Sequence, residues 1–255
     1  MPSGTRKKIK ITFLGTNGWY DTDTGNTLCI LIETENEYVV LDAGNGIYKL
    51  DRYIKTDKPI YLFLSHFHLD HIIGLHILDK FKFKQGMHIC YKKGQGKLLR
   101  FIMSRNFTLP LNKLPTKTDL IEIEGKNKLL PFLAAALPMR HPVPCLGFRF
   151  RFGDKIVSFI PDTGTCSNAI KLASRADLLI TECAMKVGQG CAAWPHLDPV
   201  MAAEIAKASK AKKLVLVHFD AFIYKTIKER KIAQQQAEAI FKPSFAARDG
   251  DRVLS

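Results

Sequence analysis

Residues 60–76 read IYLFLSHFHLDHIIGLH. The first five, Ile60 to Leu64, are an unbroken apolar run, the pattern of a buried strand. Ser65, His66, His68, Asp70 and His71 follow at once, and Ile72, Ile73, Leu75 and Leu78 then recur at helical spacing. The polar cluster therefore stands where a strand hands over to a helix. In an extended loop alternate residues share a side, which places His66 with His68 and lets Asp70 and His71 reach a point beside them. Imidazole and carboxylate together suit zinc and similar divalent metals. A solvated loop of ordinary composition rarely gathers three His and one Asp within six residues.

Outward from that stretch, composition sets the bounds. The chain has 255 residues, of which 46% are hydrophobic, enough to bury a sizeable core in one α/β domain. With no internal repeat, low-complexity tract or linker, 1–255 reads as a single domain. The formal charge is +14, from 38 basic and 24 acidic residues, which points to polyanionic partners, nucleic acid first. No apolar run approaches the ~18 residues of a membrane span, and the N-terminus MPSGTRKKIK lacks the apolar core of a signal segment. The six cysteines are scattered without a C-x-x-C pair. That pattern fits a reduced, cytoplasmic chain and excludes a disulfide framework.

Before the cluster, strands are expected at 8–14, 27–33 and 38–41, the last two as a hairpin. Asp42 closes that hairpin and, from local sequence alone, is a helix N-cap for 46–53. After the cluster come a helix at 75–83, a strand at 87–91 and a helix at 95–103. Residues 80–117 carry many bases, with Tyr91, Phe101 and Phe107 interleaved. Lys92 and Lys93 in this run are candidate phosphate-binding residues, although a solvated face explains such a run equally well. Two strands, 119–124 and 128–137, flank Gly125, and His141 stands just beyond the second. The strand 155–160 runs into Pro161-Asp162-Thr163-Gly164. An Asp in a tight loop at a strand's C-terminal end sits where sites are built, though Asp162 also reads as a cap for a helix at 166–173. A strand at 177–181 precedes Glu182. His196 lies just before a helix at 199–209, with Asp198 as N-cap and Pro199 at its first position. A strand at 212–217 ends in His218, a basic helix covers 226–241, and a turn at 249–251 leads to a last strand.

The pattern His-x-His-x-Asp-His after a strand, with Leu41-Asp42-Ala43-Gly44 before it and His141, Asp162 and His218 at later strand ends, resembles the metallo-β-lactamase superfamily of metal-dependent hydrolases. The resemblance implies a four-layer αββα sandwich with two divalent ions at one edge, zinc first and manganese as the alternative. It implies His66, His68 and His141 on one ion, Asp70, His71 and His218 on the other, and Asp162 between them. Asp42 would hold the ligand loop from behind, since a metal-bound imidazole usually needs a partner for its other nitrogen. The ribonuclease Z-like phosphodiesterases are the branch most similar. Their pattern of a Glu, a His before an Ala- and Glu-rich helix, and a strand ending His-Phe is met here by Glu182, His196, VMAAEIAKA and LVLVHF. In that branch a metal-held hydroxide attacks phosphorus while the His, paired with the Glu, assists the leaving oxygen. Asp70, Glu182 and His196 are accordingly the catalytic candidates.

The sequence departs from ribonuclease Z in three places. Only 20 residues separate His141 from Asp162, where the family carries its tRNA-gripping arm. Thr181 stands in place of another His, and Phe222 in place of an Arg. These gaps argue against tRNA 3′ processing and favour a cyclic or nucleic-acid phosphodiester, with no membrane partner and with a homodimer left open. A carboxylic ester, lactone or thioester hydrolase on the same fold is the alternative. A non-catalytic nucleic-acid-binding module would have no need of a complete ligand set.

Overall fold

Strand-period and helix-period segments sort the chain into two sheets and their covers. In the computed structural model, which describes residues 9–124 and 128–254, the first half contains β1 (Lys10–Gly15), a two-residue β2 (Asn17–Gly18), β3 (Cys29–Glu33), β4 (Tyr38–Leu41), β5 (Ile60–Phe63), β6 (Met87–Lys92) and β7 (Thr118–Ile123). The second half adds β8 (Leu133–Pro138), β9 (Leu146–Phe152), β10 (Lys155–Ile160), β11 (Leu178–Glu182), β12 (Leu214–Val217), a two-residue β13 (Phe219–Asp220), β14 (Ser244–Ala246) and β15 (Arg252–Leu254). One sheet runs β15-β1-β3-β4-β5-β6-β7 and the other β14-β12-β11-β10-β9-β8. β4 to β7 are mutually parallel, as are β10, β11, β12 and β14. Parallel order brings many strand C-termini to one edge, which is where open α/β sheets place ligands.

The sheets pack face to face through a shared aromatic core. Phe63 of β5 meets Phe148 and Phe150 of β9 edge-on, at centroid distances of 5.3 and 5.1 Å, the preferred geometry of aromatic quadrupoles. On the outer face of the first sheet, the 3₁₀ segments Asn45–Arg52 and Ile73–Lys80, with α1 (Leu69–Ile72) and α2 (Gly96–Ile102), bury Ile47, Leu50, Leu75 and Leu99. On the outer face of the second, α3 (Ser167–Ala173), α4 (Pro199–Ala208) and α5 (Ile227–Glu238) bury Leu172, Ala202, Ala206 and Ala233. The result is the expected αββα sandwich.

Local departures from the sequence expectation have identifiable causes. The helix expected at 75–83 is one α turn followed by 3₁₀ turns. Gly74 donates to Ala43 O at 2.7 Å and Ala43 donates to His71 O at 2.7 Å. A Cβ on Gly74 would meet Gly44 O at 2.4 Å. The hairpin's exit loop thus takes backbone bonds that a regular helix would keep. Asp42 does not cap 46–53: Gly44 is the N-cap, and it has no side chain to bond with. The first strand begins at Lys10, not Lys8, which lies outside the described residues, as does the turn at Gly125. In α4 Asp198 caps as expected, accepting from Met201 N at 2.8 Å. All six cysteines are free thiols, and among the described residues no helix is long and apolar enough to cross a membrane.

Candidate metal centre

The loop after β5 carries His66 and His68 out of the sheet, and α1 presents Asp70 and His71. The other sheet's strand ends face them: His141 beyond β8, Asp162 beyond β10 and His218 beyond β12. Facing atoms of His66, His68, His141 and Asp162 all lie within 4.8 Å of one another, and so do those of Asp70, His71 and His218. All seven residues singled out as ligand candidates are therefore brought together.

The spacing of the second set tests its fitness for an ion. His218 Nε2 is 3.0 Å from His71 Nε2, 3.0 Å from Asp70 Oδ2 and 3.2 Å from Asp162 Oδ1. His71 Nε2 is 3.1 Å from Asp162 Oδ1 and 3.6 Å from Asp70 Oδ2. Four donors at the zinc distances of 2.0–2.1 Å stand roughly 3.3 Å apart at the corners of a tetrahedron. The observed edges bracket that value. Asp162 turns its other oxygen to the first set, at 3.8 Å from His66 Nε2 and 3.9 Å from His141 Nε2. Each Asp162 oxygen thus faces one set. His66 Nε2, His141 Nε2 and Asp162 Oδ1 are buried without a hydrogen-bond partner. Buried polar atoms are rarely left so; two of these lone-pair donors lie in the first set and the third, Asp162 Oδ1, faces the second, so each set leaves a lone pair that suits a divalent cation.

Electrostatics agree. Burial, with His71 close by, lowers the pKa of His66, and burial pushes His141 down to about 4, so both rings present a free lone pair. His71 and His218 are pulled down by burial too, but the facing carboxylates outweigh it and raise both. Carboxylates that hold positive charge on imidazoles in this way favour a cation between them.

Behind the ligand candidates lies a buried hydrogen-bond network. Asp42, fully buried, accepts from His71 Nδ1 at 2.8 Å, from Ser65 N at 2.7 Å and from Ser65 Oγ at 2.9 Å. Ser65 Oγ is in turn 3.0 Å from His66 Nδ1. One carboxylate therefore orients an imidazole of each set. Glu182 is equally buried and accepts from Thr163 N at 2.7 Å, Ala184 N at 3.1 Å and His196 Nδ1 at 2.9 Å. Burial depresses the His196 pKa, yet the Glu182 charge and hydrogen bond, with Asp162 nearby, push it up to about 10.

A strap across the centre completes it. β2 pairs with β13, so Gly18 lies against the His218 ring, and a Cβ there would meet Cε1 at 2.6 Å. Trp19 follows and donates its amide to Asp70 Oδ2 at 2.8 Å. Trp19, Asp42 and His218 all have positive φ, at 72°, 57° and 55°, conformations that cost about 1–3 kcal/mol each and collect at functional sites. Arg230 of α5 braces the strap from below. Buried under it, the guanidinium donates to Thr16 Oγ1 at 3.0 Å, to Asn17 Oδ1 and to Thr24 Oγ1 at 2.7 Å, and it stacks over Phe219. Thr16 Oγ1 also donates to Asp249 at 2.8 Å.

Residues 37–219 match the family model described as a beta-lactamase superfamily domain. The chain belongs to the beta-lactamase superfamily. "Probable metallo-hydrolase YhfI" of Bacillus subtilis strain 168 is 28% identical over 229 residues, covering 84% of this chain and 88% of that protein. Ribonuclease Z of Pyrococcus horikoshii is 25% identical over 305 aligned residues, covering 96% and 95%. In fold, the crystal structure of B. subtilis YhfI matches with a TM-score of 0.81 at 22% identity, over 98% of this chain and 100% of that one. The short form of human tRNase Z matches at 0.73 and 23%, over 96% and 98%. The chain is thus a metal-dependent hydrolase of this superfamily with ribonuclease Z-like relatives.

For this superfamily member the sequence pointed past four contributors to the site. Ser65 stood inside the motif but was assigned no role. Trp19 and Trp194 were not singled out, yet both line a cavity of about 720 Å3 over the centre, together with His68, Asp70, Asp162 and His196. Trp194 stacks on His68, not on His196, with centroids 5.1 Å apart and planes 11° apart. Arg230 carried no signal at all, because its acceptors are uncharged groups more than two hundred residues away. Lys92 ends β6 beside β5 and Lys93 follows it, but neither lines the cavity, and Lys93 is exposed and ion-paired with Glu124.

Proposed function

We propose that this chain, acting as one domain over 1–255, is a dinuclear phosphodiesterase of nucleic-acid phosphodiesters. His66, His68, His141 and one oxygen of Asp162 would hold one ion, and Asp70, His71, His218 and the other oxygen the second. Zinc fits the nitrogen-rich sets best, with manganese as the alternative. Two such ions supply Lewis acidity toward phosphoryl oxygens and make water acidic enough to attack near neutral pH. The chain's own residues do the rest. Asp42 fixes the tautomers of His71 and, through Ser65, of His66. Asp70, held by the Trp19 amide, is placed to take a proton from the attacking water. His196 stays protonated at neutral pH and donates to the departing oxygen, while Glu182 holds the ring in place and keeps its charge favourable.

The Glu182–His196 pair, 2.9 Å apart beside Asp162, carries this reading. An alkoxide leaving phosphorus needs a proton, and a positioned cationic imidazole supplies it. The ribonuclease Z names of several relatives agree with it. Lys92 and Lys93, one strand over, would then meet phosphates farther along a bound strand. The test is a substrate panel on purified protein of known metal content. Single-stranded RNA and dinucleoside phosphodiesters should be cleaved at least ~10²-fold faster than lactones, thioesters and carboxylic esters, the minimum return on a positioned acid. Faster cleavage of a lactone or thioester would replace the phosphodiesterase with a carboxylic-type hydrolase.

A further inference from the structure

We infer, building on the phosphodiesterase reading, that the cavity selects linear diesters bearing a nucleobase on each side of the scissile phosphate, and that Trp19 with Phe222, and Trp194, are the stacking platforms. Two exposed aromatic side chains line the cavity, Trp19 at 62% exposed and Trp194 at 48%, and Phe222, 59% exposed, stands just outside it against Trp19. Single exposed apolar residues are unremarkable, but several gathered round one opening mark a binding surface. Trp19 and Phe222 meet edge-on at 6.3 Å, with Tyr20 a further 5.2 Å from Trp19.

Trp19 and Trp194 each touch a ligand candidate of the centre. The Trp19 amide is bonded to Asp70, and the Phe222 amide to Asp220 Oδ1 at 2.8 Å, two residues beyond His218. Trp19 is therefore anchored on the Asp70–His71–His218 set, while Phe222 is fixed by a local turn four residues beyond His218 and packs against Trp19. Trp194 instead lies flat on His68, in the opposite set. A ring site beside each set means a planar group on each side of a phosphate between them. A cyclic nucleotide has one base and fills one site only.

Charge points the same way. In a chain of net charge +14, no lysine or arginine lines the cavity among the described residues. Phosphate charge there is left to the ions and His196, so affinity for the rest of the substrate has to come from the rings. Stacking of bases on aromatic side chains provides it without sequence preference.

The experiment compares two esters with the same leaving group, thymidine 5′-(p-nitrophenyl phosphate) and methyl p-nitrophenyl phosphate, in metal-loaded wild type, Trp19→Ala, Trp19→Phe and Phe222→Ala. The ratio of kcat/KM for the thymidine ester over the methyl ester should fall by about 5- to 150-fold in Trp19→Ala, chiefly through KM. Phe222→Ala should lower it in the same direction, and Trp19→Phe should restore most of it. An unchanged ratio in both alanine variants overturns the proposal. If metal-loaded wild type cleaves neither ester, the phosphodiesterase reading falls instead, and stacking is decided by equilibrium dialysis of a phosphorothioate-linked thymidine dinucleotide. Binding that weakens in both alanine variants sustains the platforms; no binding, or equal binding in all proteins, removes them.

Discussion

The first sheet delivers its share of the metal centre from one loop, whereas the second delivers its share one strand end at a time. Ser65, His66, His68, Asp70 and His71 all follow β5 within eight residues, and the Asp42 carboxylate behind them directly follows neighbouring β4. His141, Asp162, Glu182 and His218 leave β8, β10, β11 and β12 separately. The first half is local and needs little beyond a strand and a turn. The second exists only when a whole sheet is in register. The Asp162 carboxylate joins them, since its two oxygens face different ligand sets.

The largest effect should follow from cutting that joint. Asp162→Ala removes a donor from both sets, so metal content should drop from near two ions per chain to one or fewer, and phosphodiester cleavage should be abolished. Elemental analysis of the purified variant checks it, and an unchanged metal count would take Asp162 out of the centre. Next comes a residue that only the second sheet's side supplies. His196→Ala should slow a diester with a poor leaving group by roughly 10²–10⁴-fold, slow bis-p-nitrophenyl phosphate far less, and leave the metal count near two. Equal losses on both esters, or lost metal, would make His196 structural or a ligand. The smallest effect belongs to the first sheet's periphery. Charge reversal at Lys92 and Lys93 should leave small diesters alone and reduce the salt slope of RNA binding by about one for each phosphate no longer neutralised. A slope that stays put would assign both lysines to a solvated face.

The same asymmetry explains what was readable in advance. The His66–His71 cluster and the Asp198 cap were legible because each is set by residues close together in sequence, and the sandwich was legible through the family resemblance. His141, Asp162, His196 and His218 became legible only through the order in which they recur. Ser65, Trp19, Trp194 and Arg230 were not legible. Their roles come from a hydrogen bond to a carboxylate just beyond the neighbouring strand for Ser65, from backbone at positive φ for Trp19, from stacking on a distant imidazole for Trp194 and from uncharged acceptors far away along the chain for Arg230, and none of these leaves a periodic trace. Gly74 shows the converse: helical spacing at 72–78 was real, but the hairpin loop's carbonyls claimed the turn.

The strap over the centre also sets a timetable. Thr16 and Asn17 leave the ribosome well before the groups that fix them, Arg230 and Asp249, which lie 214 and 233 residues beyond Thr16. Synthesis at about 5–20 residues per second separates those events by roughly ten seconds or more. Through that interval the strap lacks both the guanidinium and the carboxylate that brace it in the finished fold. A chain stalled or cut short of Asp249 would lack part of the brace while keeping every candidate ligand.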